Sequence, residues 1–286
     1  MMKTLSASGI RMVVMALLIG ISCFGETARN VPAIVCSTYN FRKGSVFEAI
    51  EKAALCGIPY IETFTNQGLS PDDPARIYAL SEDQVRRLRA HLQKHGVKIA
   101  SCMGAVSKDE TKARAFFDTV QRLGAQNIGT DSVDAIDTIE KIIGDYDLTV
   151  AFHNHPNSPQ KPGYRNSDPH FMRTLLEGRH ERIGVCSDTG HHATSNVVPL
   201  EAIRLLAGRI KSVHLKDRAA IGRKTPDQVL GTGVVEIAEI LRELDRQQFT
   251  GWLIIEYETS PEDNLDDVRR CAAFIRSQLN TRSSAP

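Results

Sequence analysis

The sequence predicts one α/β domain, a closed (β/α)8 barrel. Strand and helix patterns alternate eight times along the chain, and four of the strand patterns stop on a side chain that can bind a metal ion. A chain of 286 residues, 42% of them hydrophobic, is long enough for one such barrel, which takes about 250 residues. An open sheet is disfavoured because the segment after the first strand, 38–42, offers no glycine-rich phosphate loop.

Apolar periodicity and helix caps define the elements of the first half. One helix opens at Ser81 with the side chains of a capping box, continues with apolar residues three or four apart, and ends at Gly96. The predicted order is strand 31–36, helix 46–54, strand 59–64, helix 81–96, strand 97–103, helix 108–123 and strand 127–129.

The second half repeats the alternation with more strongly apolar strands. Its helices are amphipathic, and the one over 235–247 places four aliphatic residues on a single face. The predicted order is helix 134–144, strand 148–153, helix 171–176, strand 183–188, helix 199–206, strand 210–214, helix 235–247, strand 252–258 and helix 265–279.

Four apolar runs of the second half end on His153, Asp188, His214 and Glu256. A single His or Asp after a strand is usually a turn or capping residue. Four in succession, each separated by enough chain for a loop, a helix and a return loop, indicate parallel strands joined by crossovers. Because the carboxyl ends of parallel barrel strands share one end of the barrel, we expect the four side chains to converge there.

The balance of charges excludes some classes of partner. The formal net charge is +1, from 35 basic and 34 acidic residues, so the chain has no electrostatic footprint for nucleic acid or an anionic membrane. Aromatic residues make up only 6% of the chain, which argues against an extended carbohydrate-stacking cleft. A neutral or weakly charged small molecule is the expected substrate. The sequence leaves open whether the chain forms a homo-oligomer.

Residues 1–28 are typical of a secretory signal peptide, so the barrel is expected over 29–286. A basic start precedes the apolar run 12–24, and a small or polar stretch follows it. That run is too short to span a bilayer comfortably, which disfavours a stable membrane span. We therefore expect export to the periplasm or the outside of the cell. A lipid anchor on Cys23 has weaker support, because no Leu stands three positions before it.

Five cysteines remain after the predicted signal peptide, at scattered positions mostly inside apolar runs. Their odd number and spacing favour buried packing thiols over a disulfide framework, and no pair has the spacing of a structural zinc site. These cysteines are Cys36, Cys56, Cys102, Cys186 and Cys271.

Several segments of the chain resemble the xylose-isomerase-like TIM barrels, a superfamily that includes sugar phosphate isomerases and epimerases and inosose dehydratases. The resemblance runs from about residue 34 to the last helix and is strongest in the second half. It rests on the segments 151–156 (AFHNHP), 187–191 (SDTGH), 214–217 (HLKD), 231–233 (GTG) with Glu236, 251–252 (GW) and 255–258 (IEYE).

The resemblance implies a divalent ion held by His153, Asp188, His214 and Glu256, with His191 as a substrate-binding or supporting histidine. The chain departs from the epimerases at strand five, where those enzymes commonly carry a Glu that also moves protons. Here that position is His153, which is closer to the dehydratase-like branches.

The chemistry of this ligand set favours Mn, Co, Fe or Zn. Two imidazoles and two carboxylates suit such ions better than Mg or Ca, which prefer oxygen ligands alone. An ion of this kind can polarise a sugar carbonyl and stabilise the enediolate formed when the adjacent C–H loses its proton. Reprotonation elsewhere gives isomerisation or epimerisation, whereas loss of a β-substituent gives elimination.

Proton carriers are expected beside the ligands. Lys216, His155 and Glu258 each follow a ligand by two residues and could share its face of the strand. We expect Lys216, His155, Glu62 and Glu256 to be catalytic, and Glu258 with His191 to bind substrate. An ion pair at the barrel mouth is the alternative role for Lys216 and Glu62.

These observations favour a divalent-metal-dependent isomerase or epimerase that acts on a monosaccharide or keto-sugar through an enediolate. A metal-dependent lyase or dehydratase that eliminates a β-substituent from a keto-sugar or keto-glycoside is an alternative, and a non-catalytic sugar-binding barrel is another. DNA repair is disfavoured by the predicted export signal and the near-zero charge. The sequence leaves the particular sugar and the particular metal open.

Overall fold

Eight parallel strands close into a barrel, as the alternation predicted. A computed structural model describes residues 32–156 and 163–283, without the side chains of 281–283. The predicted signal peptide therefore lies outside the described residues, and its boundary with the barrel stays a prediction. The barrel strands are β1 Ala33–Ser37, β2 Tyr60–Phe64, β3 Lys98–Met103, β4 Asn127–Thr130, β5 Thr149–His153, β6 Ile183–Asp188, β7 Ile210–Leu215 and β8 Trp252–Ile255.

Each strand pairs with the strands before and after it in the chain, and β8 pairs with β1 to close the barrel. The helices cover the outside, and none in the described part of the chain is long and apolar enough to cross a membrane. They are α1 Val46–Leu55, α2 Glu82–His95, α3 Glu110–Leu123, α4 Ile136–Ile142, α5 Pro169–Leu175, α6 Thr189–Thr194, α7 Pro199–Leu205, α8 Ile237–Arg246 and α9 Leu265–Ser283.

Local sequence signals explain where the first helices begin and end. In α2 the Ser81 side chain accepts a hydrogen bond from the Gln84 amide while the Gln84 side chain accepts one from the Ser81 amide, which is the predicted capping box. Gly96 then adopts the left-handed conformation, with φ 66°, and ends the helix. An equivalent box formed by Ser45 and Glu48 opens α1.

The core lies between the strands and the helices, with a smaller layer inside the barrel. Val35, Ala100 and Ile254 fill that interior, and Tyr60 and Trp252 pack against them. The latter two rings lie 5.5 Å apart at the strands' amino ends, where Trp252 was expected. This packed layer forms the floor of the space at the carboxyl ends of the strands.

The five cysteines of the described chain are all buried and free, which confirms the prediction of packing thiols. Burial raises the pKa of Cys36 and Cys102 to about 12, so neither thiol is available as a thiolate near neutral pH.

Three features differ from the sequence prediction. The last strand ends at Ile255 and not near Glu258, because the amides of Tyr257 and Glu258 donate to the side chains of Asn40 and Asp227. The short helix α6, which the sequence did not reveal, follows β6 directly. Two antiparallel ribbons also stand outside the barrel, Gly68–Ser70 with Asp73–Arg76 and Asp217–Arg218 with Asp227–Gln228.

Candidate active site

Four side chains from neighbouring strands meet at the carboxyl end of the barrel. One potential ligand atom each from His153, Asp188, His214 and Glu256 lies within 4.8 Å of the others. These are the four residues that the sequence placed at the ends of β5 to β8. The structure brings them together, and their role as metal ligands stays a prediction.

Three of the four side chains, those of His153, His214 and Glu256, line a cavity of about 330 Å³, whereas Asp188 is fully buried against them. Its wall combines two aromatic rings with histidines, carboxylates and cationic groups. It is lined by Ser37, Tyr39, Glu62, Phe64, Met103, His153, His155, Pro156, His191, Thr194, His214, Lys216, Arg218, Lys224, Glu256 and Glu258.

Asp188 organises the centre of the site. Its Oδ1 accepts from the His191 amide and so caps α6, which fixes the carboxylate at the junction of strand and helix. Asn154 secures the same junction, because its Oδ1 accepts from the Asp188 amide at 2.7 Å. The other oxygen, Oδ2, lies 3.3 Å from Lys216 Nζ. Although burial opposes the charged form, the charge of Lys216 and the hydrogen bond from His153 hold the pKa of Asp188 well below its usual range.

His153 is held between two carboxylates. Its Nδ1 lies 3.3 Å from Asp131 Oδ1 and its Nε2 lies 3.4 Å from Asp188 Oδ2. Burial alone would lower the imidazole pKa, but the hydrogen bonds to these two carboxylates outweigh it and raise the pKa to about 10. The ring is thus oriented from behind by Asp131 while its other nitrogen faces the centre of the cluster.

His214 bridges opposite sides of the barrel. Its Nδ1 lies 2.7 Å from Glu256 Oε2. Its Nε2 lies 2.8 Å from Glu62 Oε1 but in a geometry that does not make a hydrogen bond, so this buried nitrogen lacks a hydrogen-bond partner among the described residues. Glu62 lies in the middle of β2. Its Oε2 accepts from Ser101 Oγ at 2.7 Å, which fixes the carboxylate in the barrel interior.

Lys216 is fully buried among carboxylates. Its Nζ lies 2.9 Å from Glu256 Oε2 and also contacts Glu258 Oε1. Burial disfavours the ammonium ion, but the charges of Asp188, Glu256 and Glu258 outweigh that penalty and raise the pKa of Lys216 well above its ordinary value. The lysine therefore provides a permanent positive charge at the cavity wall.

His191 is a neutral imidazole whose tautomer follows from its neighbours. Its Nδ1 lies 2.8 Å from the Asn154 carbonyl oxygen, which can only accept, so Nδ1 carries the proton. Its Nε2 lies 3.2 Å from Lys216 Nζ and accepts from that ammonium group. Burial holds the pKa of His191 well below its ordinary value. His191 therefore orients Lys216 as well as lining the cavity.

His155 and Glu258 lie at the rim. The His155 side chain is 43% exposed and its Nε2 lies 3.3 Å from Asp131 Oδ2. Burial and the nearby His153 charge lower the pKa of His155 to about 4, so the imidazole is neutral at physiological pH. Glu258 contacts Lys216 from the outer side and is 30% exposed. Both side chains are placed to meet a bound molecule.

Sequence reasoning missed four residues in and around the site. Asp131 follows β4 directly, so the strand-end rule that identified the four central residues could have found it. Tyr39 and Phe64, whose rings meet edge to face 4.7 Å apart, form the cavity's aromatic wall just after β1 and at the end of β2. No comparable signal marks Asp217, whose carboxylate accepts hydrogen bonds from the amides of Gly231 and Gly233. The loop 231–233 is therefore bound by a side chain of the protein itself.

The residues present fit a divalent metal ion of the borderline class. The cluster offers two imidazole and two carboxylate donors, all from buried residues. The unpartnered Nε2 of His214 is a buried acceptor or donor that the protein alone does not satisfy. Asp131 and Asn154 support His153 and Asp188 from behind, the usual arrangement around metal ligands.

Known proteins resemble the chain in both sequence and fold. Inosose dehydratase of Bacillus velezensis is 27% identical over 142 residues, which cover 44% of this chain and 46% of that enzyme. The match thus spans less than half the length of this curated relative. A crystal structure of an uncharacterised protein from Parabacteroides distasonis is 27% identical, covers 86% of this chain and 98% of that one, and has a TM-score of 0.68.

A crystal structure of D-psicose 3-epimerase with D-fructose shares the fold, with a TM-score of 0.66 and 17% identity over 86% of this chain and 99% of that one. Residues 129–278 match the family model described as xylose isomerase-like TIM barrel. That match covers the strands that supply all four central residues. The chain therefore belongs to the xylose isomerase-like TIM barrel family.

Proposed function

We propose that the protein is a metal-dependent enzyme that removes a proton next to the carbonyl of a keto-sugar and then eliminates a β-substituent. The observation that carries the proposal is the arrangement of Lys216, an ammonium donor, beside the four converging side chains at the floor of the cavity. A volume of about 330 Å³ is at the small end of ligand pockets, which run from about 300 to 1,000 Å³. It suits a monosaccharide or a small glycoside.

His153, Asp188, His214 and Glu256 would hold the ion. When bound, the ion would polarise the substrate carbonyl and stabilise the negative charge that develops on its oxygen. The chain's own residues then have to move the protons. Glu62 and His155 lie on different sides of the cavity and are the candidates for accepting the C–H proton.

Lys216 is the candidate acid for the leaving group. It is protonated across the physiological range because three carboxylates surround it. The His191 Nε2 contact aims the ammonium into the cavity, and solvent at the rim beside the partly exposed Glu258 can return the proton to Lys216 after the leaving group has departed. An ammonium donor in this position lowers the cost of expelling a hydroxyl or alkoxyl group.

Two observations favour elimination over epimerisation. An epimerase with two glutamates needs a carboxylate at the end of β5, where this chain has His153, and the imidazole is already committed to Asp131 and Asp188. In addition, the named curated relative is an inosose dehydratase. Isomerisation or epimerisation is the second candidate, because Glu62 and Glu256 both line the cavity and could carry protons on either side of a sugar.

The predicted export of the chain favours an unphosphorylated sugar. The near-neutral net charge agrees with such a substrate.

Proton NMR of candidate keto-sugars and keto-glycosides in deuterated water tests the proposal. We expect exchange of the C–H next to the carbonyl together with release of the β-substituent, both lost after chelation and restored by Mn²⁺, Co²⁺ or Zn²⁺. Exchange with a rearranged sugar and no leaving group would indicate isomerisation or epimerisation. If the protein binds sugars but binds no metal and converts none of the sugars, it is a non-catalytic sugar-binding barrel.

A further inference from the structure

A second cluster of metal-binding side chains lies on the outside of the barrel, away from the cavity. His91 and His95 stand one turn apart on α2, and Glu51 faces them from α1. One potential ligand atom from each of the three lies within 4.8 Å of the others. Residues four apart on a helix share a face, so the two imidazoles can serve the same ion.

The distances are close to those of a coordinated ion. Ligand atoms about 2.0–2.1 Å from a tetrahedral ion lie about 3.3–3.4 Å apart. His91 Nε2 lies 3.4 Å from Glu51 Oε1, which already matches that spacing. His95 Nε2 lies 3.9 Å from the same oxygen, a difference that a small rotation of the half-exposed Glu51 side chain would remove.

His95 has an unsatisfied nitrogen aimed at the cluster. Its Nε2 is buried and has no hydrogen-bond partner among the described residues. A buried polar atom of this kind costs free energy unless something binds it. The adjacent ring of His91 is fixed by stacking on Phe47, with centroids 4.0 Å apart, so one ligand is pre-positioned. His91 Nε2 lies 3.3 Å from the Phe47 carbonyl oxygen, and a metal ion bound to this nitrogen would replace that contact.

We propose that Glu51, His91 and His95 form a metal site, the α1–α2 site, for a borderline divalent ion such as Zn²⁺, Ni²⁺ or Cu²⁺. Imidazole ligands select these ions over Mg²⁺ and Ca²⁺. Three protein ligands leave one coordination position, which opens to solvent beside the 48%-exposed Glu51. The bound ion cross-links two outer helices that are joined through β2, and so stabilises the first half of the barrel.

Calorimetric titration of chelator-treated, full-length protein with Zn²⁺ tests the site. We expect His95→Gln to lose one equivalent of bound Zn²⁺ or to bind it at least about tenfold more weakly, with turnover unchanged. Glu51→Gln should weaken binding in the same direction. His170→Gln changes an exposed histidine on α5 and should bind as the wild type does.

A spectroscopic readout separates this site from the cavity. With one equivalent of Cu²⁺ bound to His214→Ala, which removes one of the two histidines among the proposed cavity ligands, electron paramagnetic resonance should show coupling to two imidazole nitrogens, which is lost when His95→Gln is added. This result does not depend on the proposed function, because it requires no metal in the cavity. Unchanged Zn²⁺ stoichiometry and affinity in His95→Gln, with metal-free unfolding equal to the wild type, would overturn the proposal.

Discussion

Each end of the barrel has a cavity, and the two cavities differ more in the chemistry of their lining residues than in their volume. The larger cavity, about 540 Å³, lies at the amino ends of the strands and is lined by residues such as Gln126, Arg182, Lys211 and Trp252. The smaller one, about 330 Å³, lies at the carboxyl ends. Of these two cavities, the smaller is the one lined by His153, His214 and Glu256, which cluster with the buried Asp188.

The topology explains this difference. Side chains that end parallel strands point into the carboxyl-end cavity, where loops and helix starts can position them, whereas the amino ends pack onto the interior layer. Lys216 and Lys211 illustrate the contrast. Lys216 has its pKa raised by three carboxylates. Burial and Arg209 lower the pKa of Lys211 at the amino end, where Glu181 only partly offsets them.

The largest expected effect comes from removing a central side chain at the carboxyl end. His214→Ala should abolish metal binding in the cavity and all turnover. The substitution removes one of the four proposed ligands, and with it the contacts of His214 with Glu62 and Glu256. Metal content and NMR turnover assays measure this. His192→Gln is the matched control, since His192 is buried against Ser187 behind the strand. Metal-dependent turnover that survives in His214→Ala would contradict the site.

Lys216→Met tests the contrast between the two lysines directly. It should retain the metal, because a cation that competes for Asp188 and Glu256 has been removed, yet lose about 10²- to 10⁴-fold in kcat as a lost general acid does. Lys211→Met, at the other end, should leave kcat and metal affinity near wild type. Full activity in Lys216→Met would show that the lysine has no part in the mechanism. Equal losses of kcat in both variants would mean that the loss is not specific to the carboxyl end of the barrel.

The sequence predicted the second half of the barrel better than the first, for a physical reason. Strands β5 to β8 are apolar runs that stop on ligand-type residues, so periodicity and chemistry mark the same boundary, and β6 was predicted with its observed bounds, Ile183–Asp188. In the first half, Glu62 lies within β2 and Asp131 supports His153 from β4. Glu62 reaches His214 from a distant strand, a contact that no local pattern encodes, whereas Asp131 was missed although it follows a strand directly.

Other features depend on partners that are distant in the chain. The histidine pair on α2 is visible as an i,i+4 pattern, but Glu51 comes from another helix and only the packing of α1 on α2 brings it near. The Asp217 carboxylate accepts hydrogen bonds from the amides of Gly231 and Gly233, which are distant from it in the sequence. The helix α6 is too short for a periodic signal, and its cap is Asp188 itself.

Glu62→Gln asks how much the first half contributes to the chemistry. The amide keeps the shape and can still contact Ser101 and His214, but it cannot carry a proton. We expect metal binding within a few-fold of wild type and kcat reduced by about 10²-fold. Ser101→Ala, which removes only the supporting hydrogen bond, should cost less. If Glu62→Gln leaves kcat and its pH profile unchanged, all proton transfer must be carried out by residues in the second half of the barrel.

The smallest effect is expected behind the site, in stability and not in turnover. Burial lowers the pKa of His192 to about 4, against about 6.5 in the unfolded chain. The unfolded state therefore takes up this proton first, so the contribution of neutral His192 to stability is complete above pH 6.5 and is lost as the pH falls towards 4. The shift corresponds to roughly 3 kcal/mol in the free energy of unfolding. Urea unfolding of chelator-treated protein between pH 7.5 and 4 should therefore show a shallower decline for His192→Gln than for wild type, with exposed His170→Gln unchanged. A decline as steep in His192→Gln as in the wild type would mean that the acid sensitivity comes from the cavity-facing groups instead.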